Sequence, residues 1–225
     1  MQILDISFLS TFATSIITFF VAGYLYRLWR AQPNPLLTDL PLIFSISFLF
    51  TGGSMFLSAA PGLMIVEYSL TLFRVRALFV CLSVMPMLAV ILHIWLPKYA
   101  TWHRRVMAIV FVYWVAVAAF GPDEALIMSL VIPVLLVFNI GMIATFAITW
   151  KTGRLKEVRS DLLVFGLSLA FVFQGLRVAL LNAGLSVVGD VLNLLMLFII
   201  SLALVNPWYK KAPRPVEEPI EAVAY

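Results

Sequence analysis

The chain has 225 residues, 63% of them hydrophobic and only 12% charged, and its mean hydropathy is +1.06. A soluble domain is about 45–50% apolar and about 25% charged, so a soluble fold could not hide this much apolar surface, and lipid is the expected solvent for most of it. The net charge is +4, and the single cysteine, Cys81, excludes an intrachain disulfide and a cysteine-based metal cluster.

The N-terminal "MQILDISFLS" has no basic n-region and carries Asp5, so no cleaved signal peptide is expected and the first helix should be kept. Seven apolar runs follow, at 6–29, 40–60, 68–95, 105–120, 125–150, 162–181 and 185–206, the fourth being the shortest. A membrane helix needs roughly 20 residues. Polar or Pro/Gly breaks separate the runs, all of them short, so no extramembrane domain is expected between helices. Residues 1–206 read as one transmembrane domain and 207–225 as a Pro-rich, polar cytoplasmic tail.

Orientation follows from the cations. Arg27 and Arg30 follow the first run, and Lys98, Arg104 and Arg105 lie between the third and fourth. Lys151, Arg154, Lys156 and Arg159 lie between the fifth and sixth, and Lys210, Lys211 and Arg214 follow the seventh. These twelve of the fifteen Lys and Arg fall on one side, whereas the other side carries Asp5, Glu67, Asp123 and Glu124. The positive-inside rule then predicts an all-α integral membrane protein with seven transmembrane helices, N-terminus outside, C-terminus cytoplasmic, in the plasma membrane. Trp29, Trp95, Trp102, Trp150 and Trp208 fall at the same ends, as interfacial indoles should, and only Trp114 lies deeper. Topology thus accounts for the basic clusters, and nucleic acid is not an expected partner.

"TDLPLIFSISFLFTGG" from Thr38 aligns with "SDLLVFGLSLAFVFQG" from Ser160, placing Asp39 on Asp161 and Gly53 on Gly175. Either helices 1–3 and 5–7 are parallel repeats around one linker helix, or each (Ser/Thr)-Asp is an N-cap before an apolar run. Pro86, "TGGS" (51–54) and the Gly166/Ala170 pair read as devices for bends or close helix approach. Asn139, beyond Pro133, reads as a structural hydrogen-bonding group, either to a neighbouring helix or within its own.

Three arginines remain, Arg74, Arg76 and Arg177, all in the outer half by position along their helices. Gln174 and Arg177 are i, i+3 on helix 6, and Asp190 and Asn193 are i, i+3 on helix 7, so each pair shares a face. Two readings stand. In one, Arg177 and Asp190 pair to fix packing while Arg74 and Arg76 snorkel to lipid phosphates. In the other, Arg74, Arg76, Gln174, Arg177, Asp190 and Asn193, with Glu67 nearby, line an outward-facing pocket for a small anionic ligand, since arginine suits bidentate capture of an acid group.

Catalytic signatures are lacking. His93 and His103 straddle a loop, a poor arrangement for haem, and there is no Ser–His–Asp set, HExxH or P-loop. Every lysine lies in a cytoplasmic segment, which leaves none for a retinal Schiff base. No cofactor and no enzyme activity are expected.

The layout, with "LFRVRALFVCLSVMPMLAVILHIW" in helix 3 and "GRLKEVRSDLLVFG" before helix 6, resembles the seven-helix membrane sensor module of prokaryotic histidine kinases. That resemblance implies a receptor-like module. No PAS or kinase domain follows helix 7 here, so output is expected through a separate membrane or cytoplasmic protein partner. The other expectations are a non-catalytic subunit of a larger membrane complex, and a small parallel-repeat transporter.

Overall fold

The computed structural model describes residues 6–32, 34–153, 158–183 and 185–205, and at 177–179, 181, 182 and 186 the backbone alone. The described residues form seven α-helices and no strand: α1 (Ile6–Arg30), α2 (Leu40–Ala59), α3 (Leu70–Trp95), α4 (Ala100–Phe120), α5 (Glu124–Thr152), α6 (Ser160–Asn182) and α7 (Ser186–Val205). Six stretches are long and apolar enough to cross a membrane, and a shorter apolar one, Ser160–Leu176, lies in α6. The chain is therefore built as a multi-pass helical membrane protein. The tail 207–225, Asn206, Arg154, Lys156 and Trp208 lie outside the described residues.

Local chemistry sets the helix starts. Ser69 Oγ accepts from the Leu72 amide at 3.2 Å, so α3 begins at Leu70 rather than at 68. Asp123 Oδ1 accepts from the Leu126 amide at 2.8 Å and opens α5 at Glu124. Gly153, at φ 62°, closes α5 in the left-handed conformation that glycine adopts without strain. The fourth helix is longer than the sequence predicts. After a 3-10 turn at Pro97–Tyr99 it starts at Ala100, because Trp102, His103, Arg104 and Arg105 are helix-compatible and their tips reach the polar zone. Arg105 there lies over the Trp102 ring, 5.3 Å from its centroid.

The N-cap reading of the aligned aspartates needs correction. Asp39 occupies the N-cap position of α2 without a side-chain cap bond, and its Oδ2 accepts instead from the Leu36 amide at 2.8 Å, bracing the preceding turn. Asp161 lies inside the first turn of α6 and takes a two-pronged bond from Arg159, at 2.9 and 2.7 Å. The Leu36 amide and the Arg159 guanidinium are thus the principal partners of these two carboxylates.

The helices form a sequential ring. α1 packs on α2, α2 on α3, α3 on α5, α5 on α6, α6 on α7 and α7 back on α1, with α4 outside against α3 and α5. Hydroxyls bind α1 tightly to α2: Ser15 Oγ donates to the Gly52 carbonyl at 2.9 Å and Ser45 Oγ to the Ala22 carbonyl at 2.7 Å. Gly53 lets α3 approach, since a Cβ there would sit 2.4 Å from Phe79 Cε1. α3 and α5 continue through Pro86 and Pro133.

Two apolar cores result. The larger joins Ala22 and Leu25, Phe44 and Phe48, Met87 and Val90, Met142 and Phe146, Leu163 and Leu167, and Leu197 and Ile200. It therefore fills one half of the ring, the half in which α1, α3, α5 and α7 end and α2 and α6 begin. Arg27, Arg30, Lys98, Arg104, Arg105, Lys151 and Arg159 stand at that same end. The smaller core joins Cys81, Val84 and Met85 to Trp114 and to Ile127 and Val131. Trp114 is fully buried and donates from Nε1 to the Ala77 carbonyl at 3.0 Å, which fastens α4 to α3.

Candidate functional site

The two arginines of α3 go different ways, because residues two apart do not share a helix face. Arg74 is in register with Cys81 and Met85, which belong to the core between α3, α4 and α5. Its Nη2 donates to the Gly121 carbonyl at 2.8 Å, and its Nε is buried without a partner among the described residues. Gly121 is the C-cap of α4, where carbonyls lack helical donors and the dipole favours a cation. Arg74 is thus held at the α4–α5 corner. Arg76 is in register with Ser83, Met87 and Val90, and the last two belong to the main core, so Arg76 shares the inward face of α3.

Tyr68 and Glu124 join this corner. The Tyr68 hydroxyl donates to Glu124 Oε1, tying the start of α3 to the start of α5. Lost hydration and the neighbouring Glu124 carboxylate push the Tyr68 phenol up to about 12, against an opposing pull from Arg76. Glu67 is exposed beside it.

On α7, Asp190 and Asn193 lie on the inward face and reach different helices. Asp190 is 9% exposed, and its Oδ2 accepts from Thr11 Oγ1 on α1 at 2.9 Å. Asn193 Nδ2 donates to Met55 Sδ on α2 at 3.4 Å, and a thioether is a weak acceptor. The backbone of Arg177 is helical, whereas its side chain, and with it the expected Arg177–Asp190 pair, lies outside what is described.

Gln174 carries the most information. The series Leu163, Leu167, Ala170, Gln174 runs along one face of α6, at steps of four, three and four residues. Leu163 is 0% exposed, Leu167 8% and Ala170 7%. Gln174, on the same face one turn further, is exposed. This face of α6 is thus buried at Leu163, Leu167 and Ala170 and exposed at Gln174. Asn139 on α5 marks the boundary: its Nδ2 donates to Gln174 Oε1 at 3.1 Å and to the Leu135 carbonyl at 2.9 Å. Both of the roles expected for Asn139 are met, one bond to a neighbouring helix and one within its own. Among the described residues α3 makes no close backbone approach to α6 or α7. By the packing order of the helices, α3 and its Arg76 stand across the ring from α6 and α7.

Gln174, Asp190 and Asn193, with Arg76 on α3, thus lie in the half of the ring opposite the large apolar core, and Gln174, Asp190 and Asn193 bond to Asn139, Thr11 and Met55 respectively. The structure turns Arg74 away. Sequence reasoning missed Thr11, Met55 and Tyr68. A threonine or methionine in an apolar run gives no signal of its own, but Tyr68 between Glu67 and the capping Ser69 could have been flagged as a helix-start tie. At the other end, the His93 and His103 rings meet edge-on at 6.4 Å, and His103 Nε2 bonds the Leu96 carbonyl at 2.8 Å. Among the described residues no group of three or more His, Cys, Asp or Glu is placed to hold a metal ion.

No protein-family model, curated protein or solved structure matches this chain.

Proposed function

We propose that this chain is a receptor-like or sensor-like seven-helix protein of the plasma membrane, N-terminus outside, which binds a small anionic ligand between Arg76, Gln174, Arg177, Asp190 and Asn193 and signals to a separate protein partner. The observation that carries this reading is the α6 face that passes from sealed, at Leu163, Leu167 and Ala170, to exposed, at Gln174. A face packed at Leu163, Leu167 and Ala170 and exposed at Gln174 fits a site closed at one end, which suits a receptor better than a transporter. Arg76 and Arg177 would supply the cationic side, and Asn193 and Gln174 would supply amide donors. The resemblance of helix 3 to the membrane sensor module of histidine kinases supports sensing over catalysis. Output would pass through the basic end, where Arg105, Lys151 and Arg159 stand.

The test uses cysteines in a Cys81→Ala background. Gln174→Cys should react with a membrane-impermeant maleimide added outside intact cells, while Leu167→Cys should not. A screen of small carboxylates and phosphates by thermal shift should then yield a stabilising anion whose effect is lost in Arg76→Ala and Arg177→Ala. Failure of Gln174→Cys to react, or a stabilising anion indifferent to both arginines, overturns the pocket.

A parallel-repeat transporter is the second reading. It is favoured by the neighbour order, since a twofold exchanging helices 1–3 with 5–7 makes the α1–α7 and α5–α3 pairings equivalent, and both occur. Substrate flux in vesicles would decide for it.

A further inference from the structure

The outer surface of α1 carries a built groove that the pocket reading does not use. Ile16, Phe19, Phe20, Gly23, Tyr24 and Arg27 line a trough of about 500 Å³. Their spacing places them in one stripe along the helix. Gly23 is the floor, and a Cβ built there would meet nothing within 4 Å. Phe20 is 74% exposed and Tyr24 52%. A second groove of about 420 Å³, between α1 and α7, shares Phe20 and Tyr24 and continues over Ile17, Phe198 and Leu202. The Phe20–Tyr24 ridge therefore separates two parallel apolar channels.

One end of the first channel is charged. Among the described residues, neither the Arg27 guanidinium nor the Tyr24 hydroxyl has a hydrogen-bond or ion-pair partner in the protein. Arg27 lies eleven residues beyond Ile16, which at about 1.5 Å per residue is about 16 Å. Half of a roughly 30 Å hydrocarbon layer is about the same. The groove is thus one leaflet long, apolar along its length, with a cation at the headgroup level. A guanidinium fork matches a phosphodiester in two hydrogen bonds.

We infer that this face of α1 binds one anionic phospholipid, its phosphate on Arg27 and its two acyl chains on either side of the Phe20–Tyr24 ridge. A second copy of the chain is a poorer fit. A twofold dimer through this stripe would set Arg27 against its own equivalent, and α1 carries no acidic residue to relieve the repulsion. The site stands independently of the pocket at the other end of the ring.

The full chain in mild non-ionic detergent, offered phosphatidylglycerol and phosphatidylcholine with identical acyl chains, should retain one phosphatidylglycerol preferentially in native mass spectrometry. Arg27→Gln should reduce that retention by roughly five- to tenfold, to the phosphatidylcholine level. Gly23→Phe should fill the floor and reduce retention of both lipids, with little change in melting temperature because a Cβ there meets nothing within 4 Å. Arg30→Gln, outside the groove, should change nothing. Equal retention of the two lipids, or selectivity that survives Arg27→Gln, overturns the site. So does a Gly23→Cys variant, in the Cys81→Ala background, that links to a second copy on mild oxidation and retains no lipid.

Discussion

Asn139 on α5 donates to Gln174 on α6 across 3.1 Å, and Gln174 is the exposed residue one turn beyond the buried Ala170. This is a hydrogen bond between two helices in an apolar setting, and Asn139 keeps a second bond to Leu135 within its own helix. The pair is therefore a tie that can break without leaving the buried Asn139 amide orphaned. Such bonds in membrane bundles are worth about 0.6 kcal/mol on average. A double-mutant cycle of Asn139→Ala and Gln174→Ala, read by reversible unfolding in mixed micelles, should give a coupling near that size. A coupling of zero would mean that the two amides do not meet.

Gly53 should be the least tolerant small residue in α2. A Cβ there would stand 2.4 Å from Phe79 Cε1, so either the ring moves or the α2–α3 spacing widens. Overpacking of this kind costs about 1–3 kcal/mol. Gly53→Ala should lower the melting temperature, and Phe79→Leu should recover part of the loss in the double variant. The absence of any rescue would place the cost in α2 itself.

The tie between Tyr68 and Glu124 should show at alkaline pH. The fold favours the neutral phenol and raises it to about 12. The group's contribution to stability is therefore complete below an ordinary tyrosine value of about 10 and is lost as pH rises through the folded value. Between those limits the wild type should lose melting temperature faster than Tyr68→Phe, and at neutral pH the difference between them should be constant. Tyr68 is 62% exposed, so the effect should be small.

The orientation is open to direct labelling. In a Cys81→Ala background, Glu67→Cys should react with an impermeant maleimide on intact cells, and Lys151→Cys should react only after permeabilisation. The opposite pattern would invert the topology and move Gln174 to the cytoplasmic side.

The seven helices were legible from the residues alone, and six of them have the length and hydropathy of a membrane span, the described apolar stretch of α6 being shorter. Runs of this length and hydropathy favour membrane-crossing helices, and cations and tryptophans collect at interfaces whatever the helices pack against. Ser69 and Asp123 end their loops through bonds to amides three residues away, so those boundaries are local too. The start of α4 was less legible, because a basic, aromatic stretch after Pro97 can be helix or connection with equal ease.

The candidate site was legible only as a depth. Counting residues places Arg74 and Arg76 at the same level, and both were assigned to one layer. Their separation depends on which neighbour each face meets: α4 and the Gly121 carbonyl for Arg74, the interior of the ring for Arg76. The aligned aspartates teach the same lesson, since identical local sequence led to a turn brace at Asp39 and an Arg159 partner at Asp161.

Hydropathy and charge position, which act on each segment independently through water and lipid, were enough to determine a helical membrane protein and which helix ends lie together. Which polar groups meet, which face of α6 stays uncovered at Gln174, and that α1 keeps a groove ending in Arg27 were decided by tertiary packing alone. Those properties depend on pairs of helices, and in a bundle where every helix is apolar all round, nothing in one helix's sequence names its neighbour.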